Sequence, residues 1–149
     1  MTLDTAPFLF VYFPVFFAIM PLNPAHCMKK ILVVDDDQTI VDFLTVCLTD
    51  AKYDVQAALG GKEGCERAKA LKPDLIILDL LMPDMHGFDV CQVLRKDRSL
   101  SGTKILVSSG KGYAVDKKSA MQLGADGYLT KPYSTDELMN AVTGLVGAP

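Results

Sequence analysis

Residues 31–39 read ILVVDDDQT, four consecutive apolar side chains followed at once by the carboxylates of Asp35, Asp36 and Asp37. An unbroken apolar run of this length, closed by polar residues, has the form of a strand buried on both faces. The same kind of segment recurs along the chain. YDVQAA (53–58), LIIL (75–78), KILVSS (104–109) and GYLT (127–130) all have strand length. Between them, TIVDFLTVCLTD (39–50), GKEGCERAKALK (61–72), GFDVCQVLRK (87–96) and AVDKKSAMQLG (114–124) place apolar residues at three- and four-residue spacing, as helices do. Asp37 suits the cap of the first helix, starting near Gln38. The last helix, Ser134 to Val146, opens with STDE, a capping box in which Ser134 and Glu137 each satisfy an orphan amide. Strands that alternate with helices pair in parallel through crossovers, so the pattern predicts an α/β fold, a five-stranded parallel sheet with helices on both faces.

The whole chain sets bounds on this reading. Its 149 residues fit one domain, and 50% hydrophobic with 22% charged residues is a globular composition. A net charge of -3, with no Lys/Arg cluster able to neutralise a phosphate backbone, argues against direct contact with nucleic acid. Cys27, Cys47, Cys65 and Cys91 show no ligand spacing and read as small thiols in a reducing compartment. Residues 1–27 stand apart. PFLFVYFPVFFAIMPL (7–22) is intensely apolar, yet it is short for a membrane span, is broken by Pro14, and lacks the basic region of a secretory signal. The reading adopted is a leader from a misassigned start, with the domain running from 28 to 149 in the cytoplasm. A weak membrane tether is the alternative, in which Lys29 and Lys30 would keep the domain on the cytoplasmic side.

In open parallel sheets, sites form beyond the carboxyl ends of the strands. There the first strand delivers Asp35, Asp36 and Asp37, the third Asp79, the fourth Ser109, and the fifth Lys131 followed by Pro132. Crowded carboxylates repel one another unless a cation lies among them, and a dense oxygen-only set suits Mg2+ or Mn2+. With that charge screened, a phosphoryl group becomes tolerable and a carboxylate can act as the nucleophile. His86, in MPDMHG, reads as a turn residue.

ILVVDDD, LIILDLLMPDMHG, ILVSSG and GYLTKP, taken together, resemble the receiver domain of two-component response regulators over about 29–146. The resemblance implies a doubly wound, flavodoxin-like sheet of order 2-1-3-4-5. It implies that Asp79 is the phosphoacceptor, charged by a histidine kinase or a histidine phosphotransfer protein. Asp36 would bind Mg2+ directly, Asp35 mainly through water, and the Leu81 backbone carbonyl would be a further ligand. Ser109 would be the switch hydroxyl, Lys131 the lysine pairing with the phosphoryl group, Tyr128 the aromatic switch, and Lys131–Pro132 a cis peptide. Output to a protein target would pass through the surface of helix four, strand five and helix five. His86, where an acidic residue is common, and Leu81 and Lys111, where the family varies, are its departures. As the sequence stops just after the fifth helix, it reads as a stand-alone receiver rather than an enzyme acting on a separate substrate.

Two other readings compete. DDDQT fits the nucleophile motif of haloacid-dehalogenase-type phosphatases, with Asp35 as nucleophile and Asp37 as acid, although it leaves Asp79 without a role. A non-catalytic flavodoxin-like binding module would use the acidic rim only to solvate loops.

Overall fold

The structure, a computed structural model, describes residues 28–110 and 114–149. Along the chain lie β1 (Lys30–Val34), α1 (Gln38–Asp50), β2 (Asp54–Ala58), α2 (Gly61–Leu71), β3 (Leu75–Asp79), α3 (Gly87–Lys96), a 3-10 turn (Arg98–Leu100), β4 (Lys104–Ser109), α4 (Ala114–Gln122), β5 (Gly127–Thr130) and α5 (Thr135–Val146). The strands form one parallel sheet in the order β2-β1-β3-β4-β5, so the chain winds outward from β1 in both directions. This is the doubly wound order the resemblance implies.

Strand alternation divides the core in two. Leu32, Val34, Ile76, Leu78, Ile105 and Val107 face a cluster completed by Ala68 of α2, Val90 and Leu94 of α3, and Ala120 of α4. Ile31, Val33, Ile77 and Leu106 face the other way, onto Val41, Leu44 and Leu48 of α1 and Leu138 and Val142 of α5. Burial is complete along β1 after Lys30 and along β3, as unbroken apolar runs require. The edge strands β2 and β5 differ, being only partly buried, because each has a neighbouring strand on one side alone.

Local chemistry sets the ends. Asp37 caps α1 through the Thr39 amide, and Ser134 and Glu137 form the capping box of α5. Where a helix through Gly124 is expected, α4 stops at Gln122; Gly124, at φ +100, turns the chain and the Ala125 amide bonds back to the Ala120 carbonyl. Among the cysteines, Cys65 and Cys91 are buried, and Cys47 is partly so. Among the described residues, no helix is long and apolar enough to cross a membrane. The leader 1–27, including Cys27, and Lys111 lie outside the described residues.

Candidate functional site

Because the sheet is parallel, the carboxyl ends of β1, β3, β4 and β5 share one rim, and the charged residues beyond them converge there. Asp35 follows β1 directly, is 3% exposed, and has both oxygens engaged: Oδ1 accepts from the Asp37 amide at 2.9 Å and Oδ2 from Lys131 Nζ at 2.7 Å. Asp79 ends β3, is 7% exposed, and accepts from Lys131 Nζ at 3.1 Å through Oδ1 and from the Leu81 amide at 2.9 Å through Oδ2. Asp36 lies beside them, exposed to solvent. Carboxylate oxygens of Asp35, Asp36 and Asp79 all fall within 4.8 Å of one another, a set of hard oxygen donors that could hold a divalent cation. Asp37, the third of the acidic triplet, is used as the helix cap instead.

One ammonium therefore faces more negative charge than it can balance. Burial pushes the Asp79 carboxyl above its ordinary range, and the Asp35 charge adds to this, while Lys131 pulls the other way. For Lys131, burial alone would lower the pKa, but bonding to Asp35 and Asp79 overcomes it and leaves the ammonium held above its usual value. The Lys131–Pro132 peptide is cis, as the resemblance implies.

Two neighbouring serines end β4, and strand alternation separates them. Ser108 pairs with Asp79 across β3 and β4, and its hydroxyl lies 3.0 Å from the Tyr133 hydroxyl. Ser109, fully buried, shares the opposite face with Val107, and Val107 is the register partner of Tyr128 on β5. Ser109 and Tyr128 thus belong to one face of the sheet, while the Ser109 carbonyl accepts from the Lys131 amide at 2.8 Å. Leu81, half exposed, holds Asp79 through its amide. His86 is more than a turn residue: it caps α3, its Nδ1 accepting from the Phe88 amide at 3.2 Å, with the two rings 4.9 Å apart.

Tyr133 and Asp84 were not legible as site neighbours. Burial raises the Tyr133 pKa against the Ser108 hydrogen bond, and its phenol lies within the field of Lys131, Asp35 and Asp79. Its place two residues after the lysine was the available signal. Asp84 accepts from the Gly61 and Lys62 amides across the rim, and nothing local in MPDMHG points to that contact. Ile40, Phe43, Lys131, Pro132 and Tyr133 line an adjoining groove of about 330 Å³, so the site opens onto an apolar surface.

Comparison with known proteins agrees with this architecture. The family model described as the response regulator receiver domain matches residues 31–143. The chain is 42% identical over 119 residues to the DNA-binding dual master transcriptional regulator RpaA of Synechocystis, covering 80% of this chain and 49% of that one. It is 43% identical over 110 residues to the alkaline phosphatase synthesis transcriptional regulatory protein PhoP of Bacillus subtilis, covering 74% and 45%. The chain thus spans about half the length of these curated relatives. Among solved structures, the chemotaxis response regulator CheY4 of Vibrio cholerae superposes with a TM-score of 0.76 at 31% identity, over 79% of this chain and 98% of that one. The Francisella response regulator 1452 receiver domain superposes at 0.74 with 32% identity, over 79% and 96%. Fold, strand order and family match coincide, and this chain belongs to the response regulator receiver domain family of two-component signalling.

Proposed function

We propose that this receiver accepts a phosphoryl group on Asp79 and signals through a conformational switch. The observation that carries the reading is the ammonium of Lys131 bridging Asp35 at 2.7 Å and Asp79 at 3.1 Å, beside the oxygen set of Asp35, Asp36 and Asp79. A carboxylate oxygen of Asp79 attacks phosphorus as the phosphorus–nitrogen bond of a donor phosphohistidine breaks, and the imidazole leaves with the bonding pair. Mg2+ (or Mn2+), when bound by Asp35, Asp36, Asp79 and the Leu81 carbonyl, supplies neutralisation of the charge on the transferring group. Asp36 is exposed beside the buried Asp35 and Asp79, which supports a role for its carboxylate in holding the cation. Lys131 moves from the carboxylates to the phosphoryl oxygens.

Ser109 and Tyr128 share a sheet face, so a shift of the Ser109 hydroxyl toward the phosphoryl group changes the packing available to Tyr128. Output then passes through α4, β5 and α5 to a protein target, within the cytoplasm and without nucleic-acid contact by the domain itself. The only catalysis is of its own phosphorylation and dephosphorylation. The phosphatase reading loses support because Asp37, its acid, is occupied in capping α1, and because it leaves Asp79 without a role.

Incubation of the full chain with acetyl phosphate and Mg2+, read by intact mass, is expected to give a single phosphoryl adduct that requires the metal and is absent in Asp79→Asn. Lack of an adduct on the wild type, or its persistence in Asp79→Asn, would overturn the assignment.

A further inference from the structure

The helix α2 starts with glycine at both its cap and its first position, Gly60 and Gly61, so no side chain of its own caps it. Its orphan amides are satisfied from far along the chain. Asp84 Oδ1 accepts from Gly61 N at 3.0 Å and Asp84 Oδ2 from Lys62 N at 2.9 Å. Asp84 lies in the loop 80–86 that joins β3 to α3, shortly after Asp79.

The two glycines let this loop lie flat on the helix start. A Cβ at Gly60 would come within 2.9 Å of Asp84 Oδ2, and one at Gly61 within 2.8 Å of Met85 Cβ and 2.9 Å of Val90 Cγ2. The Lys62 and Gly61 amides also hold the Asp84 carboxyl below its ordinary range, so it is ionised at neutral pH and completes a charge-assisted pair of hydrogen bonds. Elsewhere the loop is fixed by bonds within itself or to its neighbours in sequence: Leu81 N to Asp79 Oδ2, and Gly87 N to Leu80 O at 2.9 Å. Met82 is buried in the core beneath, whereas Leu81 is half exposed.

We infer that Asp84 is a positioning residue for the acceptor site: by latching the β3–α3 loop to the start of α2, it keeps Leu81 in register with Asp79. The inference rests on the reading of Asp79 as acceptor and Leu81 as a neighbour of the cation. Its consequence is that α2, which contributes no side chain to the cluster of Asp35, Asp36 and Asp79, sets how well that cluster binds and reacts.

The test compares Asp84→Ala, Asp84→Asn and Glu63→Ala in the full chain, at a temperature where all are folded. Glu63 accepts from Leu59 N at 3.1 Å and pairs with Arg67 at 2.7 Å, so its loss weakens the same helix without touching the loop. Two quantities are read: the Mg2+ dissociation constant by titration calorimetry, and metal-free hydrogen exchange at the Leu81 amide. Asp84→Ala is expected to weaken Mg2+ binding about tenfold, the scale on which partners behind a metal ligand act. Exchange at Leu81 is expected to accelerate in the same variant, because the amide loses its fixed acceptor geometry. Asp84→Asn, which keeps one acceptor oxygen, is expected to fall between Asp84→Ala and wild type. Glu63→Ala is expected to lower the melting temperature and leave both quantities near wild type.

Unchanged Mg2+ affinity and Leu81 exchange in Asp84→Ala would overturn the inference, as would equal changes in Glu63→Ala. If the wild type itself binds no Mg2+, the acceptor-site reading fails. Leu81 exchange then decides the latch by itself, sustaining it if accelerated in Asp84→Ala and overturning it if unchanged.

Discussion

At the scale of single residues, the site stores an imbalance that has a measurable cost. Lys131 neutralises one charge, yet Asp35 and Asp79 are both buried against it. Burial raises the Asp79 pKa above its value in the unfolded chain, with Asp35 contributing, so the folded state holds the Asp79 proton more tightly. Stability associated with Asp79 is therefore greatest at acid pH. It is lost as pH rises from the ordinary carboxylate range through the raised value. Asp79→Asn removes this charge and leaves Lys131 paired with Asp35, so no buried ion is orphaned. Without Mg2+, it is expected to exceed wild type in stability at pH 7, because the variant has no buried charge to desolvate at that position. The advantage should shrink as pH falls toward the Asp79 titration, and thermal unfolding across that pH series checks it. A wild type more stable than Asp79→Asn at pH 7 would contradict the electrostatic account. The residues behind this imbalance were legible because each stands at the end of an apolar run. The two serines of KILVSS were harder to separate, since only strand register shows that Ser108 meets Tyr133 while Ser109 shares the face of Tyr128.

At the scale of elements, β3, which carries Asp79, depends on how closely α3 begins behind it. Gly87 is the first residue of α3, and a Cβ there would lie 2.4 Å from the Asp79 carbonyl oxygen and 2.7 Å from Leu80 Cα. Both neighbours are backbone, which cannot rotate aside. Gly87→Ala is expected to cost about 2 kcal/mol, within the range for forced overpacking, and to slow labelling by acetyl phosphate because the strain falls on Asp79 itself. Gly102→Ala, where nothing lies within 4 Å, is the control and should change neither. Denaturant unfolding with the labelling assay measures both effects. The extents of α1, α3 and α5 were readable from helical spacing and caps, which are local signals. The close approach at Gly87 was not, because it is made between segments whose separation in space the sequence does not state. The early end of α4 has a similar origin: Gly124 must also leave room for Arg95, whose Cγ would lie 2.7 Å from an added Cβ. Arg95 in turn donates to the Gly124 and Thr103 carbonyls and to Asp126, tying α3 to the turns before β4 and β5.

At the scale of the whole molecule, strand order determines what surrounds the reactive rim. With β1 and β3 central and α1 and α5 packed on one face, the groove lined by Ile40, Phe43, Lys131, Pro132 and Tyr133 shares its lysine with the Asp35 and Asp79 carboxylates. The sequence carried the parallel architecture and the convergence of charges; this surface required the tertiary arrangement of α1 beside the turn after β5. Asp79 is nearly buried, so on the proposed reading a protein donor of the phosphoryl group would rest on the surface next to the rim. Phe43 and Val46, one helical turn apart on α1, are exposed large apolar residues on that side. A small donor needs none of this surface. Phe43→Ala is therefore expected to leave labelling by acetyl phosphate unchanged while slowing transfer from a histidine kinase that labels the wild type by about tenfold, the effect of losing an interface anchor worth about 1.4 kcal/mol. Since Phe43 is 41% exposed, the substitution removes little from the core, and circular dichroism with thermal unfolding should show the fold intact. Equal slowing with both donors would place the role of Phe43 in the site itself. Full transfer from the kinase would show that the donor docks elsewhere on the rim.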